Sequence, residues 1–221
     1  MPATQAASPD RLQYHLDELR IALDASDQRH ILPALEDAER AILDIGCGIG
    51  QSFVALDCAG RSCVGVDIDA EAIRYGDEHY GDRVRFIHCD AQSIPLPPES
   101  FDLVFSRVSL PYTNIPKVIA EARRLLRPGG RIWMTLHSRR MAGEYVAQAA
   151  RAGDLKRLAR MVYMLANGYL LKLLGRVVPF LDGRYESWQD PAAMVRLMRR
   201  LGFEVEVREV GRHTVMEGRR T

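Results

Sequence analysis

ILDIGCGIGQ, residues 42–51, decides how this chain is read. A short apolar run over residues 41–45 carries Asp44 near its end, and Gly46, Gly48 and Gly50 follow at alternate positions. The run predicts a buried strand, and glycine, which has no Cβ, predicts a backbone that turns sharply and admits a ligand close to the main chain. A glycine-rich turn alone is a weak signal, so spacing has to separate the folds that use one. The nicotinamide fingerprint needs Gly or Ala at position 51, where this chain has Gln51, and the Gly-Lys-Ser/Thr ending of a nucleotide P-loop is absent. What remains is Asp44-x-Gly46-x-Gly48-x-Gly50, whose carboxylate suits a ligand bearing positive charge better than a pyrophosphate.

Outward from the loop, strand and helix patterns alternate: a helix from residue 51, a strand over 63–67, a helix over 70–78 and a strand over 84–88. The series continues with a strand over 101–105, a helix over 116–126 and a strand over 131–136. Alternation of this kind predicts a parallel sheet covered by helices on both faces. Upstream, Leu12, Leu16, Leu19 and Leu23 fall at helical spacing, an amphipathic helix that packs on the body or covers a site. Residues 139–184 break the rhythm, with two or three helices and no strand. A last helix over 191–201 stops at Gly202, and FEVEVREV (203–210) leads through Gly211-Arg212 into a return strand over 213–216. The expected fold is α/β, a doubly wound, mostly parallel seven-stranded sheet with an antiparallel C-terminal edge and a helical insertion. One domain is expected over residues 1–221: a helical cover (1–39), a core (40–138), the insertion (139–185) and a C-terminal helix and hairpin (186–221).

Composition narrows the function. A chain of 221 residues, 47% hydrophobic and 27% charged, suits one well-buried core. A net charge of +1 gives no whole-surface attraction to nucleic acid, which is not expected as a partner. Cys47, Cys58, Cys63 and Cys89 form no C-x-x-C pair, so neither a metal site nor a disulfide framework is indicated, and they read as reduced thiols of a cytoplasmic protein. MPATQAASPD lacks the basic segment and apolar core of a secretory signal and reads as a frayed tail. The apolar stretch over residues 161–181 is interrupted by Gly168, Lys172, Gly175, Arg176 and Pro179, which argues against a membrane span.

The second strand ends CVGVDID and places Asp67 at its carboxyl end, where open α/β sheets collect ligands. A carboxylate there can accept two hydrogen bonds from a ribose diol. The third strand ends FIHCDA, offering Asp90 to an exocyclic amine and the Ala91 amide to a ring nitrogen, a combination that adenosine presents. Asp69 reads as the cap of the next helix, and LLRPGG as a tight turn at Pro128-Gly129-Gly130.

In order, DIGCGIG, GVDID, CDAQSIPLPPESFDLVFS and LLRPGG resemble the motifs of class I S-adenosylmethionine-dependent methyltransferases, within the group that has a small single-domain catalytic unit. The resemblance covers residues 40–138 closely and 186–218 loosely. It implies a Rossmann-like methyltransferase fold, S-adenosylmethionine as cofactor with S-adenosylhomocysteine as product, and a small-molecule acceptor. It implies that Asp44, Gly46, Cys47, Gly48 and Gly50 surround the methionine part, that Asp67 binds the ribose and that Ile68 walls the adenine. Asp90 and Ala91 would meet the adenine, and Ser106 and Arg107 would line the floor beneath the sulfonium. Nucleic-acid adenine methyltransferases carry an Asn/Asp-Pro-Pro-aromatic motif where this chain has SRVSLPYT, which argues against that branch.

Methyl transfer from a sulfonium is an in-line displacement dominated by positioning, and an amine, phenol or alcohol acceptor must also lose a proton. His137, ending RIWMTLHS, either serves as that base or bonds the loop after it. Arg107 either holds an acidic acceptor or pairs with a helix carboxylate. Tyr112, Tyr169, Tyr185 and Trp188 are candidates for the acceptor pocket. Residues 139–184 hold nine Lys or Arg against three acids, and Leu165, Tyr169, Leu173 and Val177 recur at four-residue spacing, an expected greasy helix face. Such a lining suits a hydrophobic or anionic acceptor. The same features suit a dimer interface or peripheral contact with a membrane surface, and monomer and homodimer both remain open. Two other functions stay in view: different chemistry on the same cofactor, and a non-catalytic cofactor-binding partner subunit.

Overall fold

The computed structural model describes residues 9–137 and 139–221. Of the stretch read as a frayed tail, residues 1–8 lie outside the described residues, and Pro9 and Asp10 instead begin α1. After α1 (Pro9–Leu23) come β1 (Ala41–Ile45), α2 (Gln51–Ala55), β2 (Ser62–Asp67), α3 (Ala70–Tyr80) and β3 (Val84–His88). β4 (Phe101–Ser106), α4 (Ile115–Leu125) and β5 (Leu126–Leu136) complete the parallel part. The insertion is two helices, α5 (Arg139–Arg151) and α6 (Leu155–Leu174), followed by α7 (Pro191–Arg200), β6 (Phe203–Val210) and β7 (His213–Arg220). The seven strands lie in the order β3-β2-β1-β4-β5-β7-β6. All pairs are parallel except β5 with β7 and β6 with β7. The strand order reverses between β1 and β4, and the carboxyl ends of those strands open the crevice in which such sheets bind ligands.

Side chains of a strand alternate between the two faces of a sheet. Leu43 and Ile45 of β1 therefore join Val64, Val66, Val104 and Met134 on one face, beneath α4 and α7. α4 meets them with Ile115, Val118, Ile119, Ala122 and Leu125, the stripe of an amphipathic helix. Ile42 joins Leu103, Phe105 and Trp133 on the other face, with Phe53 of α2. Asp44 shares the phase of Ile42, so its carboxylate enters the α2 side of the sheet rather than solvent.

Two expectations are corrected. Pro128-Gly129-Gly130 does not separate α4 from the fifth strand: β5 starts at Leu126, and the glycines form a bulge. Leu126 pairs with Phe101 and Arg131 with Leu103, and Gly129 takes φ 78° within the extra length. The face of α6 that packs is also not the predicted one. Met161, Met164, Gly168 and Leu171 are buried, whereas Tyr169 and Leu173 are exposed and Val177 lies beyond the helix end. A strict spacing of four drifts around a helix of 3.6 residues per turn, and the mixed three-and-four spacing wins.

At the edge away from the crevice, Arg131 is buried and donates to both oxygens of buried Glu39 at 2.7 and 3.0 Å. Arg131 also reaches Glu217 at 3.4 Å and Glu36 at 3.6 Å, but these contacts are longer and their carboxylates more exposed, so losing the Glu39 charge leaves a buried guanidinium only partly compensated. Glu39→Gln is expected to destabilise the protein by about 3 kcal/mol, measured by urea unfolding; an unchanged midpoint would contradict this account of the pair.

Candidate functional site

The glycine loop is tied to β2, with the amides of Gly46 and Cys47 both donating to the Val66 carbonyl, at 2.8 and 3.0 Å. Gly46 (φ 77°) and Gly48 (φ 54°) stand in the left-handed region. A Cβ on Gly46 would strike Ser109, and one on Gly48 would strike the His15 ring at 2.4 Å. These contacts are with the protein's own side chains, so Gly48 is required by the close seating of α1 on the loop.

Asp67 is held more tightly than the sequence suggests. Its Oδ2 accepts from the Gly48 amide at 2.8 Å and its Oδ1 from the Asp69 amide at 2.9 Å. The carboxylate thus couples the glycine loop to the start of α3 and keeps further lone pairs for a ligand. Asp69 caps α3, accepting from Glu71 and Ala72.

A cleft of about 760 Å³ opens at the carboxyl ends of the strands. Its sheet side is formed by Gly46 with Asp67 and Ile68 after β2, and by Asp90 and Ala91 after β3. Ile68 is 71% exposed, an apolar side chain standing on the rim. Asp90 accepts the amide and side-chain nitrogen of Gln92. The opposite side comes from Tyr112, from Arg160 of α6 and from Arg184, Tyr185 and Glu186 of the loop after it, with Arg11, Tyr14 and His15 of α1 as a third wall.

Of the residues expected from the sequence, Gly46, Asp67, Ile68, Asp90, Ala91, Tyr112 and Tyr185 meet at this cleft. Asp44, Cys47, Gly48 and Gly50 lie buried behind it. Ser106 is buried too, sharing a 2.8 Å hydrogen bond with Ser109, whose hydroxyl donates to the Ile45 carbonyl and which does line the cleft. Arg107 is buried and donates to Glu18 Oε2 of α1 at 2.5 Å, so its helix-carboxylate reading is the one the structure displays. His137 stands outside the cleft lining, edge-on to Tyr112 with ring centroids 5.7 Å apart. Desolvation, with His213 nearby, lowers its pKa to about 4. A neutral imidazole pressed against Tyr112 supports that ring. Tyr169 and Trp188 pack edge to face at 5.2 Å away from the cleft, with the Trp188 indole against Gly168 and donating to the Leu165 carbonyl. Tyr14, His15, Ser109, Arg184 and Glu186 were not singled out in the sequence. The helix at 9–23 was legible as a cover, but which of its residues face inward depends on the Glu18 anchor.

Two buried polar atoms of this region, Asp44 Oδ1 and His15 Nδ1, have no hydrogen-bond partner among the described residues. Burial raises the Asp44 pKa to about 8 against the lowering effects of Arg107 and of a hydrogen bond from Ser52. Arg107 cannot complete the pairing because Glu18 already holds it. The buried carboxylate behind an apolar, acid-rimmed cleft fits a ligand that brings its own cation, together with a diol and a purine edge.

The comparisons agree with this geometry. The family described as "Methyltransferase domain" matches residues 43–134. A sterol 4-C-methyltransferase of Caenorhabditis elegans is 35% identical over 109 residues, 46% of this chain and 33% of that protein. A 27-O-demethylrifamycin SV methyltransferase of Amycolatopsis mediterranei is 39% identical over 100 residues, 41% of this chain and 36% of the relative. A demethylmenaquinone methyltransferase of Clavibacter sepedonicus is 29% identical over 176 residues, 75% and 66% of the two chains. The chain therefore spans between about a third and two thirds of the length of these relatives. Among solved structures, an S-adenosylmethionine-dependent methyltransferase from Thermotoga maritima superimposes with a TM-score of 0.63 at 17% identity, covering 95% and 96% of the two chains. That likeness shows the fold. Residues 43–134 thus match a methyltransferase domain family, and the sheet around them has the fold of solved methyltransferases.

In the ligand-free protein Asp44 keeps its proton to about pH 8, against 3.8 for an ordinary Asp carboxyl. The folded state then binds the extra proton between those values, so this group removes stability as pH rises through them. Asp44→Asn is expected to melt at or above the wild-type temperature at pH 8 in the absence of ligand. A variant that melts well below wild type there would contradict the unpaired carboxylate.

Proposed function

We propose that this domain transfers the methyl group of S-adenosylmethionine to a small acceptor that is hydrophobic and carries an anionic group. The observation that carries the proposal is the two-ended chemistry of one cleft: acidic at the strand ends, aromatic and basic at the insertion. Asp67 binds the ribose diol with the lone pairs its backbone contacts leave, Ile68 and Ala91 flank the adenine, and Asp90 takes its amine. Asp44 receives the ammonium of the methionine part once His15 yields its place over Gly48. When bound, the cofactor supplies an electrophilic methyl group, and the protein's task is to hold an acceptor atom in line with it.

The acceptor end is built from Tyr112, Tyr185, Arg184 and Glu186. Arg160 is bound to Asp182 and lies over the Phe180 ring, whereas Arg184 makes no ion pair among the described residues and is the group for an acceptor's negative charge. The relatives' names, a sterol, a menaquinone precursor and a rifamycin, describe lipophilic acceptors in those proteins, which supports the same class here. Glu186 is the proton acceptor for a hydroxyl or amine. Burial, its largest influence, raises its pKa and places its ionisation nearer neutrality than that of a solvated carboxyl. Label from methyl-labelled S-adenosylmethionine, followed through a cell extract, is expected in the small-molecule lipid fraction; label confined to protein or nucleic acid would refute the acceptor class.

Once an acceptor is identified, Glu186→Gln is expected to lower kcat/KM by about 10²-fold and to abolish its rise with pH through the Glu186 ionisation. Cofactor affinity should be unchanged. An unaltered pH profile would remove Glu186 from the proton transfer.

A further inference from the structure

α6 is apolar on two opposite faces. Its inner face, with Met161, Met164 and Leu171, is buried in the protein. Leu155, Ala159, Val162, Ala166 and Leu173 are all exposed, with Leu155 at 77%, Val162 at 53% and Leu173 at 75%. At 3.6 residues per turn these five fall within an arc of about 60° and run about 27 Å along the helix. No charged residue of α6 falls within that arc. A second apolar face of this length on a helix whose first is already buried marks a contact surface.

Charge decides what covers it. Residues 151–184 hold seven Lys or Arg and two acids, and both acids are engaged within the insertion. Asp154 caps α6, and Asp182 binds Arg160. Arg151 and Lys156 are exposed around the start of the stripe, Arg176 just past its end, and Leu181 of the following loop is 97% exposed. A second copy of the chain set against this face would bring two basic rims together, with the acids of residues 151–184 already engaged in capping α6 and in holding Arg160. An anionic lipid surface answers both features, since it takes aliphatic side chains below the headgroups and basic ones among them. Among the described residues no helix is long and apolar enough to cross a membrane, so the contact is a surface one.

We infer that the outer face of α6 docks this protein on an anionic lipid surface. The inference deepens the proposed function: Arg160 and Arg184, on α6 and the loop that follows it, line the cleft, so docking brings the acceptor entrance beside the lipid that dissolves a hydrophobic acceptor. The docking is read without turnover, so its failure and the failure of the proposed chemistry are separable.

The test is co-sedimentation of the full chain with vesicles of phosphatidylcholine alone and of phosphatidylcholine mixed with phosphatidylglycerol, at low and raised salt. Binding is expected only to the mixed vesicles, weakened by salt, and reduced about tenfold or more in the double variant Val162→Glu, Leu173→Glu. A second variant, Lys156→Glu with Arg176→Glu, leaves the apolar stripe intact and should lose the preference for anionic lipid. Both variants should keep the wild-type melting temperature and cofactor affinity, because all four positions are solvent-exposed and outside the cleft. No binding to the mixed vesicles at low salt, or binding indifferent to both variants, would overturn the inference. So would a wild-type dimer in sedimentation that Val162→Glu dissolves, which would assign the face to a second copy.

Discussion

A carboxylate buried at the end of the central strand without a cation is the constraint on which the rest of this molecule turns. Asp44 enters the interior because it shares the phase of Ile42 in β1, and β1 is flanked on both sides by β2 and β4. Desolvation there is offset only in part, and one oxygen has no partner. The nearest cation, Arg107, is neutralised by Glu18 and thereby fixes α1 over the glycine loop. Each neighbouring feature follows: a loop whose Gly48 has no room for a Cβ under His15, and a helix that closes the crevice from one side.

The opposite wall is made differently. The insertion interrupts the chain after β5 and is bound back by main-chain and amide hydrogen bonds. Gln189 and His137 exchange them between Oε1 and the amide and between carbonyl and amide, and Asn167 joins α6 to Val178 and Glu186. These contacts hold the strip carrying Arg184, Tyr185 and Glu186 against the cleft. The cofactor end is thus set by strand ends that the sheet cannot move. The acceptor end is set by a loop anchored at a few points, where sequence can change without disturbing the sheet.

The sequence was legible wherever local chemistry dictates geometry. Strand alternation, the glycine spacing and the placement of Asp67, Asp90 and Ala91 at strand ends all follow from rules of short range, and the sheet order and cleft agree with them. It was less legible where a partner distant in the chain decides. That Arg107 faces Glu18, 89 residues earlier, is not encoded near either residue. His137 read as a base or a loop-bonding residue and Trp188 as a pocket wall or helix anchor, but the main-chain bonds of His137 to Gln189 and the close approach of Trp188 to Gly168 hold them outside the cleft lining. Tyr169 was placed by a four-residue spacing that real helical drift rotates away. Glu186 escaped notice beside the aromatic residues around it, although an acid between Tyr185 and Trp188 was the signal available.

The most direct test of the central claim is calorimetric titration of the protein with S-adenosylmethionine at pH 7 in buffers of different ionisation enthalpy. An Asp44 that is protonated when free and ionised beside the ligand's ammonium predicts the release of about one proton on binding, absent in Asp44→Asn. Binding without proton release, or release that persists in the variant, would contradict a buried carboxyl that waits for the cofactor's charge.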